Sequence, residues 1–150
     1  MALIKPVVNE VECHPYLNQS KLQTVCEANA IKLIAYSPLG GSPQDAARSN
    51  VFDLKVRQSL RENPLVVKLG KKYGKSPEQV LLKFHTSSGR IVIPKSTTPS
   101  RIESNAAIFD FELTNDELEQ LNALNNGQRY VDFNGSKLLN HKNFPFNDEF

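Results

Sequence analysis

The feature that most constrains this chain is its alternation of short β-branched runs with helix-start signals. "KPVVNEVE" (5–12), "KLIAYS" (32–37) and "RIVIPK" (90–95) are compact, largely apolar runs, and each reads as a strand. Helix patterns fill the intervals. Leu22, Val25, Cys26 and Asn29 fall at i, i+3, i+4 and i+7, so three apolar residues line one face of a helix from about Ser20. Pro64 opens a helix carrying Leu65, Leu69 and Tyr73. "SPEQVLLKFHTSSG" has the clearest signature, with Ser76 at the N-cap, Pro77 in the first turn, Gln79 closing a capping box and Gly89 past the end. Thr98 followed by Pro99 predicts a helix running past Asn105. Thr114 and Glu117 repeat the capping box, with Leu118, Leu121 and Leu124 as the apolar stripe.

This order is that of βα units around a parallel sheet. A closed (β/α)8 barrel typically needs ~250 residues, and about three parallel strands cannot close one. The expectation is therefore an α/β chain, and if its sequence is barrel sequence, it is part of a barrel. Between the second and third strands, from Gly40 to about Asn63, Gly, Pro, Ser and Asp suggest a long surface loop. From Asn125 to Phe150 the chain is rich in Asn, Gly, Phe and His without a clear period, which suggests an ordered or semi-ordered C-terminal loop.

Size and composition narrow the class. The 150 residues fit one domain, and 39% hydrophobic with 23% charged residues is the balance of a soluble globular protein. A net charge of +2 demands no basic face, so nucleic acid is not an expected partner. The opening "MALIKPVVNEVE" has too short an apolar stretch for a signal peptide, and no later run approaches the ~18 apolar residues of a membrane span. Cys13 and Cys26 make no disulfide framework. A cytoplasmic protein with reduced thiols and no membrane partner is the expectation.

Three stretches are candidates for chemistry, because sites of α/β proteins gather where parallel strands end. In "IPKSTTPSRIESN" (93–105), Lys95 stands at such an end, Ser96, Thr97 and Thr98 lead into a helix, and Arg101 lies in its first turn. Two cations, hydroxyls and helix N–H groups can converge on a phosphate monoester. The alternative is that Thr98 caps a helix while Lys95 and Arg101 are simply solvated. In "AYSPLG" (35–40), Tyr36 can offer its ring face to a flat ligand while Ser37 and the 39–40 backbone meet phosphate, or Tyr36 can be ordinary core or rim. In "NEVECHPY" (9–16), Glu12, Cys13 and His14 are adjacent, poor spacing for metal ligands because neighbours on a strand face opposite ways. That stretch reads as a structural strand end, and no metal is expected.

In this order the three stretches resemble the aldo-keto reductases. "VVNEVECHPYLNQ", "IKLIAYSPLG" and "IVIPKSTTPSRIESN" are similar to the family's sixth, seventh and eighth strand segments, and "FDFELTNDELEQLNALNN" and "FPFNDEF" to its last helix and tail. The resemblance implies the C-terminal part of a TIM (β/α)8 barrel over residues 1–150, an NADP(H) cofactor, and hydride transfer to an aldehyde or ketone. It implies that Tyr36 stacks on the nicotinamide and that Ser37, Pro38, Leu39 and Gly40 run beside the pyrophosphate. Lys95, Ser96, Thr97 and Arg101 match positions holding the adenosine 2′-phosphate, and Asn105 an adenine contact.

Glu10 stands where a glutamine commonly contacts the nicotinamide carboxamide, and a carboxylate there accepts hydrogen bonds without donating. Ser104 stands where a glutamate often reaches the adenine, and it is too short to do so. The family's catalytic Asp, Tyr, Lys and His lie upstream of the segments resembled, so no catalytic residue is assigned here, and His14 and Tyr16 match the family's "CHPY" turn instead. The expected protein is a cofactor clamp that is inactive alone, a fragment or half of an enzyme acting on a small carbonyl compound. The alternative is a non-catalytic NADP(H)-binding or protein-interaction module. The chain's expected partner is an N-terminal half-barrel, or a second copy paired through open sheet edges. Tyr130, Phe133, Leu138, Leu139 and Phe144 are expected as an apolar pocket wall or as ordinary packing.

Overall fold

The computed structural model describes residues 3–41, 59–131, 140–142 and 144. Most of the loop expected after Gly40, and Phe133, Leu138 and Leu139 of the tail, lie outside them. The described chain runs β1 (Val8–Glu12), α1 (Ser20–Ala28), β2 (Lys32–Tyr36), a 3-10 turn (Leu60–Glu62), α2 (Pro64–Tyr73), α3 (Pro77–Ser87), β3 (Ile91–Val92), α4 (Pro99–Ala106) and α5 (Asn115–Asn122). The strands form one parallel sheet in the order β1-β2-β3. Val8 to Glu12 pair in register with Lys32 to Tyr36, and Ile34 and Ala35 pair with Ile91 and Val92.

The third strand is shorter than the expected 90–95, for local reasons. Arg90 turns its N–H to the His85 carbonyl at the end of α3, and the ladder closes with Ile93 N–H on the Ala35 carbonyl, because Pro94 has no N–H to continue it. Lys95 consequently lies beyond the strand. β2 stops at Tyr36, since Ser37 takes a left-handed conformation with φ of 49°.

The helices start where their caps stand. The Asn63 side chain accepts from Leu65 N–H ahead of Pro64, and Gly74 ends α2 at φ 63°. Ser76 with Gln79 and Thr114 with Glu117 both complete their capping boxes. Two expectations shift. Val25 on α1 is 48% exposed, so of the proposed stripe only Cys26 is buried and Leu22 half-buried. At α4 the Thr98 side chain makes no cap bond; the Arg101 N–H donates to the Thr98 carbonyl at 3.0 Å, and the Ser96 hydroxyl accepts from Thr98 N–H at 3.1 Å.

The main core lies among the helices, where Tyr16, Leu60, Val66, Leu69, Val80, Leu81, Leu82, Phe84, Ile108, Phe111, Leu113 and Leu121 pack together. A smaller cluster of Cys13, Leu33 and Ala35, flanked by Val11, Leu22 and Val92, fills the space between one sheet face and α1. Gln23 fastens α1 to the far end of α3, donating to the Ser88 carbonyl and accepting from Arg90 Nε. The opposite sheet face carries Val8, Glu10, Ile34 and Ile91 in alternation, with Ile93 beyond. Val8, Ile91 and Ile93 are each more than two-fifths exposed. The strands read as apolar on both faces, and among the described residues the second face is fully covered only at its carboxyl end, where Glu12 is buried.

Candidate functional site at the carboxyl edge of the sheet

All three strands point the same way, so their carboxyl ends deliver Glu12, Tyr36 and the 93–98 segment to one edge. Glu12 and Tyr36 are in-register partners and share a face with Glu10, two residues back on β1. Tyr36 is half-buried; burial first, then the charge of Glu12, pushes its phenol above the ordinary range, and the charge of Glu10 adds to this. The phenol is thus neutral at physiological pH.

The turn after Tyr36 is tightly built. Gly40 N–H returns to the Ser37 carbonyl at 2.9 Å, and Gly40 sits at φ 70°, where a side chain is strained. Pro38 is buried, and its carbonyl is 3.4 Å from His85 Nε2. Burial holds the His85 ring down at about 3, so it is neutral and donates from Nε2 to that carbonyl. Leu39 packs against the main core. A Cβ placed on Gly40 or Gly41 would stand 2.9 Å or 2.7 Å from the Tyr130 ring, so the glycines let that ring lie directly on the backbone.

Glu12, 1% exposed, is the residue that sequence reasoning left without a role at this edge. Its carboxylate accepts from Tyr130 N–H at 2.6 Å and Val131 N–H at 3.0 Å, and His14 Nε2 lies 2.9 Å away. The His14 and Tyr130 rings meet edge to face at 5.0 Å. Glu12, Cys13 and His14 therefore form a structural strand end, with the carboxylate engaged by backbone amides. Among the described residues no group of three or more His, Cys, Asp or Glu could hold a metal ion. The signal available in sequence was a carboxylate on the alternating set of an apolar strand beside a Gly-Gly pair, and neither names a partner more than a hundred residues away.

Beyond β3, Lys95, Thr97 and Arg101 are exposed, and Ser96 and Asn105 half-buried. Among the described residues no ion pair engages Lys95 or Arg101. The Ser96 hydroxyl bridges within its own turn, accepting from Thr98 N–H and lying 3.4 Å from the Thr98 carbonyl. Lys95, Ser96 and Thr97 thus sit in the turn before α4, while Arg101 and Asn105 are carried by that helix. Glu10 is exposed on β1, and Ser104 lies on α4 with its carbonyl accepting from Gln79 Nε2. Phe144 is half-buried, and its N–H donates to the His141 carbonyl.

A parallel sheet with its turns collected at the carboxyl edge places the chain among α/β proteins of the kind that build ligand sites there. Comparison of sequences gives the family: residues 1–126 match the Aldo/keto reductase family, and the chain belongs to it. It is 42% identical over 146 residues to mouse (Mus musculus) "Aldo-keto reductase family 1 member D1", covering 97% of this chain and 43% of that protein. To the human (Homo sapiens) "Aldo-keto reductase family 1 member A1" it is 41% identical, covering 100% of this chain and 46% of that one. Mouse "Estradiol 17 beta-dehydrogenase 5" is 38% identical over 97% of the chain. The chain thus spans less than half the length of the curated relatives it matches. The family implies a TIM barrel, and the described sheet and helices have the architecture of part of one. Among the described residues no helix is long and apolar enough to cross a membrane.

Proposed function

We propose that this chain forms the NADP(H)-holding part of a carbonyl reductase. Tyr36 receives the nicotinamide, Ser37, Pro38, Leu39 and Gly40 line the pyrophosphate, Lys95, Ser96, Thr97 and Arg101 hold the adenosine 2′-phosphate, and Asn105 meets the adenine. The observation that carries this reading is the donor set beyond β3. Two exposed cations, engaged in no ion pair among the described residues, flank hydroxyls at the start of a helix, beside a strand end that presents a neutral tyrosine. That set fits a phosphate monoester, with Arg101 able to bind two oxygens and Lys95 supplying a point charge. NADPH, when bound, supplies the hydride that reduces an aldehyde or ketone to an alcohol.

The residues named here bind and orient, and none of them is assigned the proton donation that such a reduction needs. The isolated chain is accordingly a cofactor clamp, inactive as a reductase by itself. A small carbonyl substrate and a covering chain, an N-terminal half-barrel or a second copy, complete the reading. The exposed Val8, Ile91 and Ile93 support the latter. Cytoplasmic residence is part of the same proposal, supported by two buried free thiols, of which Cys13 is pushed up to about 11 chiefly by burial.

Fluorescence titration tests the clamp. NADPH should bind the purified chain more tightly than NADH, and Lys95→Ala or Arg101→Ala should each weaken NADPH about tenfold while leaving NADH nearly unchanged, as loss of a charge-assisted contact predicts. Equal binding of NADPH and NADH by the unsubstituted chain removes the assignment of these cations to the 2′-phosphate. Carbonyl reduction by the purified chain at rates ordinary for an enzyme removes the claim that it lacks the acid.

A further inference from the structure

The buried carboxylate at the end of β1 has no part in the binding just proposed, yet it is the centre of the contacts that tie the edge together. We propose that Glu12 is a positioning residue for the cofactor site: it latches the 126–131 segment to the end of the sheet, and the Tyr130 ring so held sets the shape of the Ser37–Gly41 turn. The inference rests on the reading of that turn as the pyrophosphate lining.

Three observations build the latch. First, Glu12 is buried and takes both consecutive amides, Tyr130 N–H and Val131 N–H, with His14 Nε2 as a third partner. A carboxylate is expensive to bury, and its retention beside two backbone donors is explained by the strength of charge-assisted bonds where no water competes. Second, the same segment is moored one turn earlier. Asn126 N–H donates to the Tyr16 carbonyl, and Asn18 donates from its N–H to Asn125 Oδ1 and from Nδ2 to the Asn122 carbonyl. The "CHPYLN" turn is thereby the bed of the C-terminal segment. Third, Tyr130 occupies the space that a side chain on Gly40 or Gly41 would need, with the His14 edge against its ring. The turn after Tyr36 and the 126–131 segment are therefore one mechanical piece, joined through Glu12.

Positioning predicts a signature that neither direct binding nor plain stability shares. In the full 150-residue chain, Glu12→Gln should speed amide exchange at Tyr130, Val131 and Gly40 at least tenfold, and leave exchange at Leu81 inside α3 unchanged. It should weaken NADPH and NADH by the same factor, about fivefold or more, keeping their ratio, whereas the Lys95 variant changes the ratio. Gly41→Ala, which displaces the Tyr130 ring without touching Glu12, should reproduce the affinity loss, and adding Gly41→Ala to Tyr130→Ala should cause no further loss. Faster exchange at Tyr130 and Val131 with Gly40 unaffected overturns the coupling, and so does unchanged affinity in both Glu12→Gln and Gly41→Ala. If the unsubstituted chain binds neither dinucleotide, the clamp reading fails, and the exchange at Gly40 alone decides whether the latch holds the turn. Should Glu12→Gln fail to fold, with Leu81 exchanging freely, the Gly41 and Tyr130 variants decide the matter by themselves.

Discussion

Glu117→Gln isolates one charge in a well-defined setting. Glu117 is 6% exposed at the first turn of α5, where it receives Lys72 Nζ at 2.6 Å, the Tyr73 hydroxyl at 2.6 Å and Thr114 N–H at 2.8 Å. Burial opposes its ionisation, and the hydrogen bonds from Lys72, Tyr73 and the Thr114 amide overcome it, holding the carboxyl down at about 2 against an ordinary 4.5. At about 1.4 kcal/mol for each tenfold, that difference sets a ceiling of about 3.5 kcal/mol. Lys72 is half in solvent, so screening reduces the expected contribution to about 1–2 kcal/mol. Glutamine keeps the capping box, since its amide oxygen can accept the Thr114 N–H, but it loses the charge that Lys72 and Tyr73 share. Because the folded-state value is depressed, the contribution is fully present above pH 4.5 and disappears as pH falls toward 2. Urea titrations followed by circular dichroism should show the variant about 1–2 kcal/mol less stable at pH 7, with the gap closing between pH 4.5 and pH 2. Equal stability at pH 7, or a gap that persists unchanged at pH 2, refutes the argument.

Leu121→Ala, at a fully buried position on α5, should lose about 2–5 kcal/mol in the same titration. Gly70→Ala places a Cβ 2.7 Å from the Lys75 carbonyl oxygen and should destabilise the α2–α3 corner despite alanine's better helix propensity, whereas Gly74→Ala meets open space and should lose only about 1 kcal/mol from its φ of 63°. The exposed apolar sheet face should drive self-association, seen in sedimentation as species heavier than one chain that diminish with Val8→Lys or Ile91→Lys; a single monomeric boundary at micromolar concentration contradicts this.

Helix starts were legible because their determinants are local. Ser76 with Gln79, Thr114 with Glu117, and Pro64 after Asn63 each act within four residues, and each helix begins where they stand. Strand ends were less legible. The run 90–95 reads as one strand, yet Arg90 N–H serves α3 and Pro94 cannot donate, so only Ile91 and Val92 join the ladder. Thr98 illustrates a local rule overridden by the backbone: the cap residue is in place, but the Arg101 N–H that its hydroxyl would accept turns to the Thr98 carbonyl. The candidate site divides the same way. Tyr36 was visible as a strand-end residue and Lys95 through its motif, although Lys95 lies beyond the strand rather than at its end, whereas Glu12 was visible only as part of an unsuitable metal triplet.

By itself the sequence determined the alternation of strands and helices, the caps and the family, because periodicity, capping and motif order are carried by residues close together along the chain. Which groups meet at the carboxyl edge was decided only by tertiary structure. Parallel pairing sets Glu12 beside Tyr36, and the return of the 126–131 segment lays Tyr130 over Gly40 and Gly41. Glu12 reaches amides 118 and 119 residues away, a separation at which no local preference operates and only the packed fold can bring donor to acceptor.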